Sequence, residues 1–280
     1  MALRNLSKLK IHKFGIRQFS KEANLVSVAV NDKTGVATLN LQRPPVNSLN
    51  LEILSEISST LTDLEKNKTR GLILTSKNEG IFSAGLDIME MYKPDVERMK
   101  KFWTTLQDTW IKLYSCSFPS VALINGHAPA GGCLLALSCE YRVMFKNCTI
   151  GLNETQLGIV APQWFISSMR NVIGQRQTES ALTQGRMFKT EEALSIGMID
   201  EVVENNEEGV ARAAAFLKRF ERIPPMARAM TKKYIRKETI ENMVKNREED
   251  LKNFVTYGTQ PAVQEYLGAY LQSLKKKSKA

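Results

Sequence analysis

Three short segments carry residues whose types and order could do chemistry: Ser83-Ala84-Gly85-Leu86-Asp87, Pro129-Ala130-Gly131-Gly132-Cys133 and Gly151-Leu152-Asn153-Glu154. In the first two, glycine stands just before an apolar, helix-like run. Amides at a helix start lack an intrahelical acceptor and point outward, where they bind anionic groups. Two such sites make an oxyanion hole. A thioester carbonyl held there gains negative charge as its α-carbon loses a proton, and each preorganised donor on that enolate is worth roughly 10²–10³ in rate. The proton needs a base, and Glu154 offers one beside the largely apolar stretch 156–162. Burial there disfavours the charged carboxylate and makes it a stronger base than in water. Taken singly, each segment has a plainer reading: Glu154 as an acid at a helix start, AGLD as a turn, AGG as a close backbone contact.

The elements that must position these segments follow a rhythm. LVSVAV (25–30) and GVATLNL (35–41) read as strands, and Leu51, Leu54, Ile57, Leu61 and Leu64 recur at helical spacing over 51–66. GLILTS (71–76) is strand-like, 95–113 helix-like, and SVALIN (120–125) is a strand leading into GGCLLALS (131–138). Strands alternating with helices predict α/β architecture. Residues 121–139 are apolar, but Asn125, Gly126, His127, Pro129, Gly131 and Gly132 interrupt them, so a strand, a turn and a buried helix are expected rather than a membrane span. Beyond Val203 the segments 211–220, 226–236, 243–254 and 263–274 are helix-like, punctuated by Pro224-Pro225 and Pro261. In the last, Val263, Tyr266, Leu267, Tyr270, Leu271 and Leu274 form an apolar stripe that needs cover from this chain or from another subunit. Lys275–Lys277 and Lys279 read as a solvated end.

Composition narrows the function classes. The 280 residues, 43% hydrophobic and 24% charged, suit a globular protein. The net charge of +10 raises a nucleic-acid partner, yet half of it comes from Arg4, Lys8, Lys10, Lys13 and Arg17 in a first stretch of twenty residues without an acid. That stretch sets leucines and Phe14 among cations, the pattern of a mitochondrial transit peptide, which assigns 1–21 to a leader and the mature chain to the matrix. The final Ser278-Lys279-Ala280 lacks the leucine of a peroxisomal address. No RNA-binding motif, phosphate-binding loop or dinucleotide fingerprint occurs, so no nucleic-acid partner is expected. Cys116, Cys133, Cys139 and Cys148 form no C-x-x-C pair and are expected as free, mostly buried thiols. With only His12 and His127, no metal is expected, and His127 reads as a structural loop residue.

Together and in this order, SAGLD, PAGGC and GLNE resemble the enoyl-CoA hydratase/isomerase (crotonase) superfamily over roughly residues 25–205. The resemblance implies a spiral of ββα units (22–205) closed by a C-terminal helical region (206–280) that builds a homotrimer. It implies an acyl-CoA thioester substrate, coenzyme A entering only as part of that substrate and no other cofactor. It places the oxyanion N–H groups on Leu86 and Gly131, substrate contacts at Ser83, Ala84, Gly85, Leu86, Asp87 and Asn153, the loop after Pro44-Pro45 near the adenine, and the base at Glu154. Hydratases of the superfamily carry a second glutamate two residues after the glycine pair, where this chain has Leu134. Leucine can neither donate nor accept the proton of a water, so hydration is disfavoured. One carboxylate suffices to shift a double bond from 3-enoyl-CoA to trans-2-enoyl-CoA, and IGLNETQLGIVAP (150–162) with Trp164 and PPVNSL (44–49) resembles the isomerase branch. Phe102, Trp103 and Trp164 are candidate walls of an acyl tunnel or plain core. The rivals are another reaction of the superfamily (dienoyl-CoA isomerisation, weak hydration, thioester hydrolysis) and a non-catalytic RNA-binding relative.

Overall fold

The computed structural model describes residues 24–277; the leader assigned to 1–21, with His12, and Ser278-Lys279-Ala280 lie outside the described residues. An antiparallel pair, β1 (Val26–Val30) and β2 (Val36–Leu41), opens the chain and is followed by α1 (Leu51–Lys66). Along β2 the side chains alternate, with Ala37, Leu39 and Leu41 inward. Helix α1 starts where the Asn50 side chain accepts from the Ile53 N–H, and it buries Ile53, Leu54, Ile57, Leu61 and Leu64. Each such side chain contributes about 1.5–3 kcal/mol by leaving water.

Three further turns repeat the pattern. β3 (Gly71–Ser76), β4 (Gly80–Ile81) and α2 (Val96–Ser115) make one; β5 (Ser120–Ile124), β6 (Gly126–Pro129) and α3 (Gly131–Ser138) the next; β7 (Tyr141–Phe145), β8 (Thr149–Gly151) and α4 (Gln163–Gln184) the third. The first strand of each turn joins a six-stranded sheet ordered β1-β2-β3-β5-β7-β10 and the second joins a four-stranded sheet ordered β4-β6-β8-β9, with β9 at Phe188–Lys189 and β10 at Glu201–Val203. Neighbours in each sheet thus follow chain order, and the parallel pairing of β3, β5 and β7, and of β4, β6 and β8, makes the chain a spiral of ββα units. Central strands β3 and β5 are buried on both faces, as parallel strands covered by helices must be. Helix α3 is buried all round, and the apolar run 121–139 therefore resolves into β5, β6 and α3.

Helix α5 (Thr190–Ser195) packs beside β9 and β10, and α6 (Asn206–Lys218) covers one face of the six-stranded sheet through Ala213 and Leu217. Helices α7 (Pro225–Lys245) and α8 (Arg247–Gly258) pack on α2, and α9 (Pro261–Lys277) packs on α8 and the turn at 154–157. The segments expected at 226–236 and 243–254 divide instead at Asn246, because α7 runs on to Lys245. Helix α4 has no counterpart in the sequence expectations. Gly174, at φ 77° and ψ 166°, breaks its helical geometry midway, so its apolar residues share no single face. Among the described residues, no helix is long and apolar enough to cross a membrane.

Candidate active site

The SAGLD loop is held by the PPVNSL segment through main-chain bonds. Ala84 N–H donates to Val46 O (2.9 Å), Leu49 N–H to Gly85 O (2.8 Å) and Asp87 N–H to Leu49 O (3.0 Å). These last two bonds form a parallel bridge between Leu49 and Leu86. In that geometry the bridged residue's own N–H points to the opposite side, and the Leu86 N–H has no acceptor among the described residues. The Ser83 hydroxyl donates to Asn47 O (2.8 Å) and accepts from Gly85 N–H (3.2 Å), while Asp87 caps a 3-10 turn at Ile88–Glu90 and pairs with Arg43 at 2.9 Å.

The second turn lies against the first. Ala130 takes φ 48° and ψ −119°, a conformation that costs a non-glycine residue about 1–3 kcal/mol, and donates its N–H to Gly151 O (2.8 Å). Gly131 then opens α3, and its N–H likewise has no acceptor among the described residues. A Cβ on Gly131 would stand 3.3 Å from Leu86 N, and one on Gly132 would stand 2.7 Å from Ser83 O. The two free amides therefore sit on adjoining turns that only glycine allows to meet this closely.

Glu154 begins a 3-10 turn (Glu154–Leu157) that ends at Gly158 in left-handed conformation, φ 70°. Its side chain is 6% exposed, and neither carboxylate oxygen has a hydrogen-bond partner among the described residues. Burial pushes its carboxyl up from 4.5 to about 7. The neighbouring Asn153 Oδ1 is also buried without a partner. A cavity of about 780 Å³ has Ala84, Leu86, Ala130, Asn153 and Glu154 on its wall, so the Glu154 carboxyl and both amide-bearing turns border one space. An acid and two backbone donors facing a largely apolar cavity can remove a proton beside a carbonyl and hold the resulting oxyanion.

Residues 31–279 match the family model for enoyl-CoA hydratase/isomerase. The chain belongs to that family. Within it, mouse mitochondrial enoyl-CoA delta isomerase 1 is 44% identical over 266 residues, 94% of this chain and 91% of the relative, and the human protein of that name is 42% identical over 93% and 86%. The crystal structure of human mitochondrial delta3-delta2-enoyl-CoA isomerase superposes with a TM-score of 0.88 at 42% identity, covering 90% of this chain and 99% of that one. An enoyl-CoA hydratase from Bacillus halodurans, at 24% identity and a TM-score of 0.79, shares the fold. The family's crotonase-type spiral with C-terminal helices is thus the architecture of this chain.

At the position where the family's hydratases are expected to carry a second glutamate, Leu134 is fully buried in the core. Ser83, Gly85 and Asp87 are not on the cavity wall; they hold the loop that presents Ala84 and Leu86. Trp103 and Trp164 line the cavity, whereas Phe102 is core. His127, expected in a loop, lies in β6, where its Nδ1 accepts from Thr149 N–H (3.1 Å) and ties β6 to β8. All four cysteines are free and buried. No group of three His, Cys, Asp or Glu among the described residues could hold a metal ion.

Part of the wall escaped the sequence. Asn246, Asp250, Phe254 and Tyr257 on the C-terminal helices, with Val263, Leu267 and Tyr270 from α9, close the cavity. The stripe over 263–274 was the available signal: Leu267 is buried, and Tyr266 packs on Gly158, so its own chain covers part of it.

Proposed function

We propose that the protein is a mitochondrial Δ3,Δ2-enoyl-CoA isomerase of unsaturated fatty-acid β-oxidation. The observation that carries this is the pairing of a lone, unpartnered, buried Glu154 with a buried leucine at position 134. Glu154 as carboxylate takes a proton from C2 of a 3-enoyl-CoA. The electrons delocalise into a dienolate whose oxygen accepts from the Leu86 and Gly131 N–H groups. Glu154 then returns the proton at C4, the double bond settles between C2 and C3, and trans-2-enoyl-CoA leaves with the enzyme unchanged. Ala84 and Asn153 border the reacting end, and the loop held by Ser83, Gly85 and Asp87 keeps the Leu86 amide in place. Coenzyme A enters as part of the substrate, and no further cofactor is required.

The names of the mouse and human relatives support the same reaction and a mitochondrial location. Residues 206–280 form the region through which three chains would assemble; exposed Met226, Met230, Tyr234 and Ile235 on α7 are apolar surface available for it. Asp250, an acid on the same wall, is engaged by three side-chain donors, and Glu249 is exposed, which leaves Glu154 as the buried acid of the wall with unpartnered oxygens.

The test is conversion of 3-hexenoyl-CoA to its conjugated isomer, followed spectrophotometrically. Glu154→Gln is expected to lose roughly 10²–10⁴ of the wild-type rate, the usual share of a positioned acid/base. Wild-type rates in that variant would remove Glu154 from the mechanism, and a hydration product alone would transfer the chain to the hydratase branch.

A further inference from the structure

Helix α8 forms part of the cavity wall but buries none of its residues completely; Leu251 and Phe254 pack only partly on the core, and polar bonds from its first turn add to that hold. Asp250 in its first turn meets three donors from the spiral. Oδ2 accepts from Trp103 Nε1 (2.7 Å), Gln107 Nε2 (2.8 Å) and Trp164 Nε1 (3.2 Å). Gln107 is itself fully buried and oriented, since its Oε1 accepts from Arg247 Nε (3.0 Å) at the start of α8. One turn after Asp250, the Phe254 ring stacks on Trp103 with centroids 3.6 Å apart and planes within 10°. Trp103 meets Trp164 edge-on at 5.8 Å, and Trp164 meets Trp110 at 5.3 Å.

We propose that Asp250 is a positioning residue that locks Trp103 and Trp164 into one fixed aromatic wall of the cavity and so sets how strongly it discriminates acyl chains by length. The inference rests on the acyl-thioester reading above and deepens it. Indole N–H groups turned into an apolar cavity without an acceptor would be penalised or would rotate away. One carboxylate satisfies both rings and the amide that anchors α8, so the part of each ring that borders the cavity stays apolar and fixed. Each methylene laid on such a wall adds affinity, so a loosened wall weakens long chains more than short ones.

The chain's three tryptophans, Trp103, Trp110 and Trp164, are all in this cluster, so indole emission reports on it directly. The experiment titrates the purified full chain with saturated hexanoyl-CoA and decanoyl-CoA, then compares KM and kcat on 3-hexenoyl-CoA and 3-decenoyl-CoA. In Asp250→Asn, Kd and KM for the ten-carbon thioester should rise about tenfold relative to those for the six-carbon one, with the two kcat values keeping their ratio. An unchanged chain-length ratio would overturn the proposal. Should Asp250→Asn fail to fold, Trp103→Phe keeps a ring against Phe254 and deletes the 2.7 Å bond; a severalfold shift in the same direction is expected, and its absence overturns the proposal equally. A wild-type protein that binds both saturated thioesters but isomerises neither substrate removes the isomerase reading, while the binding ratio still judges Asp250. Failure to bind either thioester removes both.

Discussion

The corner that carries Glu154 and the two free amides and the helices that close the cavity are built on different principles. At the corner, position is set by the main chain: the Leu49–Leu86 bridge, the Ala130-to-Gly151 bond and glycines where a side chain would collide. The closing helices are attached by side chains instead. α7 buries only Lys232 and Met243, and Lys232 pairs with Glu140 at 3.0 Å. Gln264 of α9 donates to Met91 O (2.8 Å) and accepts from Lys93 N–H (2.7 Å). Changes at the corner should therefore strike the chemical step, and changes in the helices should strike the hold on the acyl chain. Loss of rate in Glu154→Gln is the largest effect this contrast predicts, ahead of those that follow.

Gly85→Ala tests the corner without touching a reacting group. Gly85 has φ 86°, and a Cβ there would stand 2.9 Å from Ala130 Cβ and 3.2 Å from Gly131 N. Relief requires the two amide-bearing turns to separate, which misplaces an oxyanion donor. The expected result is a fall in kcat of roughly 10²–10³ with KM for 3-hexenoyl-CoA little changed. A variant that raises KM at constant kcat would erase the distinction between the two regions.

The corner's chemistry should also leave a mark on stability. Burial raises the Glu154 carboxyl from 4.5 to about 7, so the folded state holds a proton that the unfolded chain releases between those values. The stability this proton confers is fully present below about pH 4.5 and is lost as pH rises through about 7. Gln at this position is neutral throughout. At pH 8 denaturant unfolding should therefore find Glu154→Gln more stable than wild type by roughly 2–4 kcal/mol, the advantage vanishing near pH 4.5. Activity runs the other way under the proposed mechanism, in which the carboxylate is the base: kcat/KM should climb as pH passes about 7. A variant no more stable at pH 8 would mean that Glu154 is not held against its own ionisation.

The two regions also differ in what could be read from the residues. The corner was legible only through the order of SAGLD, PAGGC and GLNE, which together resemble the family; singly each segment has a plainer reading, and Leu134 stands out because the resemblance implies a second acid there in hydratases. Helix α1 was legible because one face is buried, which imposes a single period on 51–66. Helix α4 was not, since Gly174 resets that period halfway. Within SAGLD, sequence could not separate Ala84 and Leu86, which reach the wall, from Ser83 and Asp87, which fasten the loop, because the difference depends on partners thirty or more residues away. Asn246 and Asp250 read as ordinary positions of the helix expected over 243–254, and Tyr257 lies beyond it; only the packing of α7–α9 brings them to the cavity.

The smallest effect expected belongs to α9. Leu267 is 1% exposed and lines the cavity, on the helix that also packs Tyr266 against Gly158 beside the Glu154 turn. Leu267→Ala removes the one fully buried side chain of α9 among the described residues, so α9 should open locally more often while the spiral keeps its structure. The amides of Leu86 and Gly131 and the carboxylate of Glu154 take no bond from α9, so kcat on 3-hexenoyl-CoA should hold within about twofold while KM rises a few-fold, the pattern of lost ground-state binding. Hydrogen exchange should show faster amide exchange in α9 and unchanged protection in α3. An equal loss in kcat would mean that the closing helix helps to set the geometry of proton transfer, and the division between the two regions would fail at its most exposed joint.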